Sequence, residues 1–526
     1  MTRIAFRLAA FLFGAILLAG CPVGPNYRPP EIAAPASFRG AAPESSGAAI
    51  GAAGASPASL ADLPWWQVFG DPVLRSLVDE AIRGNYDLEA AIARVDQYRA
   101  QVGVARASLF PQVGYQAGAG RQRAVFPPTD ASATYNAFTG AFDLAWEIDV
   151  WGRIRRATEA ARGRLLSVED VQRGVLLDLV SEVALAWFEL LELDRELEIA
   201  HESAASFRST LELFERRFQG GVGSKLQTSR AAGALAAAEA QIPGLEARIV
   251  QTENRICVLL GRSPGPIPRG RPMTEQTVPP VIPAGLPSEL LRRRPDVQAA
   301  EADVMATNAE VGVAVANFFP RIGLTSLYGG QSAQLGDIAK SPASVWNLLG
   351  SLSGPIFTGG QLIEQYRAQV AAWQEARARW GQAVVNSFAE VSSALVLHGK
   401  LAAVRSAKER EVAAYRESVR LALLRYEAGL ATYYEVLEAQ QLLFPALAQL
   451  AQVQRDQLLV VVRLYRSLGG GWQLPDEGWE SDPIGSTAAT TPLPTGGPGA
   501  GSASVGTLRT TPPAPPDSPA AVDPMP

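Results

Sequence analysis

The chain has 526 residues, 47% of them apolar, with 47 basic and 52 acidic side chains and a net charge of -5. The two signs are intermixed, which excludes a polybasic surface for nucleic acid. Two histidines, His201 and His398, and two cysteines, Cys21 and Cys257, offer little from which to build a zinc or haem site, so no metal or cofactor is expected.

At the N-terminus, Arg3 and Arg7 precede an apolar run from Leu8 to Leu18, and Ala19-Gly20 lead into Cys21. This pattern is that of a secretory signal over residues 1–20, too short for a stable transmembrane helix. Leu18-Ala19-Gly20-Cys21 matches the bacterial lipobox, so Cys21 is expected to carry a covalent lipid, and Pro22 in place of an aspartate predicts sorting to the outer membrane. Residues 21–60 read as a lipidated tether rich in Ala, Gly, Pro and Ser. Residues 475–526, with "TTPLPTGGPGAGSASVG" and "TPPAPPDSP", read as a disordered tail. No run of about 20 apolar residues follows the signal, so any membrane crossing by the mature chain must use strands.

Between these ends the chain repeats itself. "FQGGVGS" at 218–224 aligns with "YEAGLAT" at 426–432, and the same offset of 208 pairs Leu260-Gly261 with Leu468-Gly469. "VGVARASLFPQ" at 102–112 matches "VGVAVANFFPR" at 311–321 with an offset of 209, which places a one-residue indel in the hairpin region between. Two tandem units follow, 61–265 and 295–474, joined by a Pro-rich connection at 266–294.

Each unit starts with a helix that proline stops, at Pro111 and Pro320. Strand-like alternation follows: Phe138, Gly140, Phe142, Leu144, Trp146 and Ile148 share one face in the first unit, and Trp346, Leu348, Gly350, Leu352, Gly354 and Ile356 in the second. The period fits membrane-barrel strands and equally a half-buried soluble sheet. A heptad seam then runs through Leu176, Val183, Leu190, Leu197, Ala204, Leu211 and Phe218, with Leu179, Ala186, Leu193, Ala200, Phe207 and Phe214 as companions. A helix from Arg153 to Phe218 would be about 100 Å long at ~1.5 Å per residue. The second unit is proline-free from Ile356 to Phe444, with less regular heptads around His398 and Arg405. Two strands per unit make four per chain, too few to close a barrel with a lumen, so several chains must share one.

These features resemble the TolC/OprM-type outer-membrane efflux lipoproteins, the outer membrane factors of the NodT-like branch that serves RND pumps. The resemblance spans about Cys21 to Trp472. It is carried by "CPVGPNYRPP", "WWQVFGDPVLRSLVDEAI" from Trp65, "WEIDVWGRIRR" from Trp146, "GLPSELLRRRPDVQAAEADV" from Gly285 and "GPIFTGGQL" from Gly354. It implies a mixed α and β membrane protein: a homotrimeric β-barrel with four strands per chain, continued by a long α-helical coiled-coil barrel. It further implies a passive exit duct for small amphiphilic compounds such as antibiotics, working with a periplasmic adaptor and an inner-membrane RND-type transporter.

The helix-hairpin turns fall at Gly220-Gly221 and Gly429, which would form the periplasmic mouth. Beyond the second turn Glu435 and Glu438 lie three apart, and threefold symmetry would turn each into a carboxylate ring held by Arg425 or Arg230 as a gate. The family pattern places acidic residues there. At the first turn Gln227 stands where the family often has an aspartate. No enzyme is expected: "GRSPG" at 261–265 has the G-x-S-x-G spacing, but Pro264 lacks the N–H an oxyanion would need. A duct for protein secretion and a pore-less coiled-coil envelope lipoprotein are the alternatives.

Overall fold

The structure, a computed structural model, describes residues 22–32, 34–35, 37–40, 60, 70–126, 131–276, 278, 285 and 287–470. The signal at 1–20, Cys21, the tether beyond residue 40 apart from Leu60, and the tail from 475 lie outside the described residues.

Helix α1 (Pro72–Gly84) starts where Asp71 accepts hydrogen bonds from the Val73 and Leu74 N–H groups, with proline at a first-turn position that needs no N–H. Asn85 caps α2 (Tyr86–Ala107) in the same way, and α2 stops short of Pro111. Then come β1 (Gln112–Phe126), β2 (Ala131–Ile148), α3 (Arg153–Gln219), α4 (Lys225–Glu239) and α5 (Gln241–Leu259). The connection that follows contains α6 (Pro287–Arg293) and buries Ile267, Met273 and Leu290, so it is packed against the body. The second half runs α7 (Pro295–Ala316), β3 (Arg321–Ser332), β4 (Ser344–Ser353), α8 (Gln361–Glu427) and α9 (Tyr433–Ser467).

The halves match in length. α2 and α7 each have 22 residues, and α3 and α8 each have 67, offset by 208 at both ends. The same offset carries 225–259, spanned by α4 and α5, onto 433–467, spanned by α9. Here the halves differ: the first is interrupted at Ala240, just before Pro243-Gly244, whereas α9 continues through Pro445.

The four strands form one antiparallel sheet in the order β1-β2-β3-β4, so β2 and β3 join the halves. Register puts Tyr115, Phe142, Tyr328 and Trp346 in one row across all four strands. The same face carries Val113, Leu144, Leu348 and Leu352, while Gln112, Asp143, Glu147, Thr325, Asn347 and Ser351 point the other way. β4 ends at Ser353, so Gly354 and Ile356, expected in this strand, lie beyond it; Pro355 has no N–H to extend the ladder.

The sequence "WEIDVWGRIRR" joins sheet to helix. Trp146 Nε1 donates to the Leu109 carbonyl at 3.0 Å and Trp151 Nε1 to the Pro320 carbonyl at 2.8 Å. Glu147 pairs with Arg153 at 2.8 Å. The Asp149 carboxylate accepts from the Ile154 and Arg155 N–H groups, satisfying the free donors of the α3 N-terminus.

Buried Arg156 donates to the carbonyls of Val23 and Gly24 and to Asn26, and Tyr27 donates to Glu301 at 2.9 Å. A Cβ at Gly24, where φ is 94°, would fall 2.6 Å from Gly312 Cα. Phe38 is buried against Phe388. The described residues of the expected tether between Pro22 and Gly40 are therefore laid along α3, α7 and α8; their backbone carbonyls meet Arg156, a partner that Ala/Pro-rich composition does not reveal.

Helix α3 contacts α1, α2, α4, α5, α7 and α9. Val183, Leu190, Ala204 and all six companion positions of the expected seam are buried, but so are Trp187, Phe188 and Leu191 off the seam, because neighbours surround this stretch. The seam fails at its last member: Phe218 is 44% exposed. α8 differs, burying one stripe that includes Val391, Leu401, Val412, Ala422 and Tyr426. The irregular heptads now have a cause. Arg405 donates to Gln457 at 3.2 Å and Lys408 to Gln449 at 2.6 Å, so both use α9 glutamines as seam partners.

Candidate functional site

The two hairpin turns are built alike. After α3, the N–H groups of Gly221 and Val222 donate to the carbonyls of Phe218 and Arg217; after α8, those of Gly429 and Leu430 donate to Tyr426 and Arg425. This six-to-one closure needs a left-handed residue, supplied by Gly221 (φ 74°) and Gly429 (φ 73°). Gly220 has φ -76° and its counterpart is Ala428, so the turn does not require glycine there.

Both following helices begin with a reciprocal capping box: Ser224 with Gln227 before α4, and Thr432 with Glu435 before α9. The Glu435 carboxylate accepts from the Thr432 N–H at 3.0 Å, so its first role is to start a helix. Gln227, the departure from the family's aspartate, does the same work in the first hairpin.

The expected ion pairs do not form within the chain. Arg425 donates to the carbonyl of Leu430 in its own turn at 3.2 Å, and Arg230 donates to the Tyr433 hydroxyl at 3.0 Å. Glu438 is exposed on α9, one turn beyond the cap. What binds the hairpins together is a residue the sequence did not single out. Arg217 donates to the carbonyls of Tyr426 and Glu427, both at 3.2 Å, and its guanidinium sits 4.4 Å from the centre of the Tyr426 ring. Phe214 covers the same ring from 5.1 Å. Lower on α3, Thr210 and Ser206 accept from buried Gln440 of α9, each at 2.9 Å. Arg217 is the 208-offset partner of Arg425, which is the signal that could have found it.

Farther along α3, Glu192 is fully buried with Glu196 one turn away. Arg455 of α9 lies 3.4 Å from Glu192, and Glu196 accepts from Arg248 of α5 and Gln452 of α9. Burial, then the neighbouring Glu196, pushes the Glu192 carboxyl up to about 7.

At the other end, the aromatic row is open to the surroundings: Tyr115 is 81% exposed and Trp346 75%. Among the described residues no helix is long and apolar enough to cross a membrane.

The family model for outer membrane efflux proteins matches this chain twice, at 77–262 and 286–470. The chain belongs to that family. It is 33% identical over 468 residues to the solvent efflux pump outer membrane protein SrpC of Pseudomonas putida, covering 88% of this chain and 98% of the relative. It is 30% identical to the cation efflux system protein CusC of Escherichia coli, covering 87% and 97%. The solved outer-membrane channel OprN superposes with a TM-score of 0.77 at 31% identity, covering 86% of this chain and all of the other. The chain is thus an outer-membrane efflux channel, which sets aside the pore-less scaffold.

Proposed function

We propose that three copies of this chain close a twelve-stranded barrel in the outer membrane and continue it as a coiled-coil tunnel of paired tandem repeats. The tunnel would be gated at the hairpin tips and would pass small amphiphilic compounds such as antibiotics. The observation that carries the reading is the four-stranded sheet, in which β2 pairs with β3 and a row of aromatic side chains runs across one face. Four strands leave β1 and β4 with unpaired edges, and a closed barrel of three copies satisfies both. α8, with apolar Val385, Val404, Leu421 and Leu424 on its open sides, supports neighbours of the same kind along the tunnel.

Pro22 lies against Gly152 at the level where strands hand over to helices. A lipid on Cys21 would therefore enter the inner leaflet beside the barrel, which supports the anchor assignment. A periplasmic adaptor and an inner-membrane RND-type transporter are the partners this duct would serve, as members of the efflux-pump family do. At the tip, Glu438 is the carboxylate free to form a ring, with Glu435 committed to its cap.

Single-channel recording tests this. The purified protein should conduct with cation preference, and Glu438→Gln should lower that preference while Glu435→Gln, which keeps the cap, should not. Equal selectivity in wild type and Glu438→Gln would remove the gate assignment, and no conductance in either would remove the duct.

A further inference from the structure

The contact between the two hairpins of one chain has an unfilled equivalent. Arg217 and Phe214 of the first hairpin close over Tyr426 and the last carbonyls of α8, and Tyr426 is only 5% exposed. Shifting every residue by 208 puts Arg425, with Ala422 in place of Phe214, over Phe218 and the last carbonyls of α3. Within one chain that contact is absent: Arg425 is turned onto its own Leu430 carbonyl, and Phe218 is 44% exposed at the end of a seam whose other members are buried or half-buried. Both turns have the same hydrogen-bond closure, so the same side chain at the same place has the same reach. Leu421 and Leu424, 44% and 51% exposed beside Arg425, supply apolar surface for an aromatic ring.

We propose that Arg425 is the subunit-to-subunit counterpart of Arg217, closing over the partner's Phe218 and the carbonyls at the C-terminal end of the partner's α3. The inference rests on the closed assembly proposed above. It explains two features of the lone chain together, an arginine folded back on its own turn and an aromatic ring left uncovered. In a ring of hairpins alternating first and second, each contact is heterologous and the circle closes only if both kinds form. Guanidinium donors at helix C-terminal carbonyls meet the negative end of the dipole, so each clasp is favourable without a carboxylate partner.

The test replaces Phe218 by the photoreactive amino acid benzoylphenylalanine in the full chain, assembled from a mixture of isotopically heavy and light copies. Illumination should yield heavy-light cross-linked peptides containing residues 421–425, and Arg425→Ala should cut their yield several-fold. The mass of the detergent-solubilised protein is measured on the same sample. An oligomer of the expected mass whose probe labels only its own chain, or whose heavy-light yield is unchanged by Arg425→Ala, overturns the clasp and leaves the closed assembly standing. A monomer by mass overturns the assembly, and the clasp with it.

Discussion

Helices α3 and α8 have the same length and the same place in their repeats, yet they live in different surroundings. Among the described residues α3 packs against α1, α2, α4, α5, α7 and α9 of its own chain, and its middle is buried on nearly every side, Val183, Trp187 and Leu190 completely. α8 is buried along one stripe and keeps apolar side chains such as Val404 and Leu424 exposed. In the assembly proposed above, a further copy covers the apolar side chains that α8 leaves open. The difference therefore separates fold from assembly, and substitutions can probe each.

The largest effect is expected from Leu190→Asp. This side chain is fully buried between helices, and a carboxylate there costs on the order of several kcal/mol unless it is neutralised. Both the helical circular dichroism and the oligomer should be lost. Val404→Asp, on the open side of α8, should leave the helical signal intact and weaken only the oligomer. Loss of helix in both variants would show that α8 has no separable outer face.

A smaller effect comes from Glu192, and it depends on pH. The carboxyl is raised from about 4.5 in the unfolded chain to about 7 in the folded one, so the folded protein binds more protons between these values. Stability is then full below about pH 4.5 and declines as pH rises to about 7, by roughly 3 kcal/mol. The melting temperature in detergent should fall across that window in wild type. Glu192→Gln, which resembles the protonated form, should flatten the slope; an unchanged slope would assign it to other groups. Arg455, Arg248 and Glu196 face this carboxyl and are unaltered in the comparison.

Much of this contrast was legible in the sequence. The proline stops and the alternation of Phe142, Leu144 and Trp146 pointed to the helix limits and the strand faces, and the 208 offset to two long helices of equal length, because each depends on local sequence pattern. The heptads of α8 were harder to follow, since Arg405 and Lys408 hold seam positions through glutamines on α9 that lie far away in sequence. The tip was legible as turns and acids but not as roles. Glu435 and Glu438 share a spacing, and only the Thr432 N–H tells the cap from the exposed carboxylate. The strap from Pro22 to Gly40 was hidden for the same reason, because its partners, Arg156 and Glu301, are set by tertiary packing.

The capping boxes allow a finer comparison of the two tips. Glu435→Ala removes the side chain that accepts from the Thr432 N–H and should cost about 1 kcal/mol, visible as a modest drop in melting temperature without change in ion selectivity. Gln227→Ala at the first tip should cost a similar amount. A selectivity change in Glu435→Ala as large as in Glu438→Gln would mean that the cap opens in the assembled duct and both carboxylates face its axis.

The smallest and sharpest contrast lies between neighbouring glycines. Gly221, at φ 74°, occupies a region where a Cβ crowds the following carbonyl, so Gly221→Ala should cost about 1 kcal/mol. Gly220 has φ -76°, and a Cβ built there would sit 3.4 Å from the Arg216 carbonyl oxygen, close to ordinary contact. The second repeat already has alanine in this position, at Ala428, with the same turn closed behind it. Gly220→Ala should therefore leave the melting temperature unchanged or raise it slightly, by the entropy removed from the unfolded chain. If Gly220→Ala instead destabilises as much as Gly221→Ala, the first turn needs freedom that the second does not, and the equivalence of the two tips, on which the Arg217–Arg425 comparison depends, would fail at that residue.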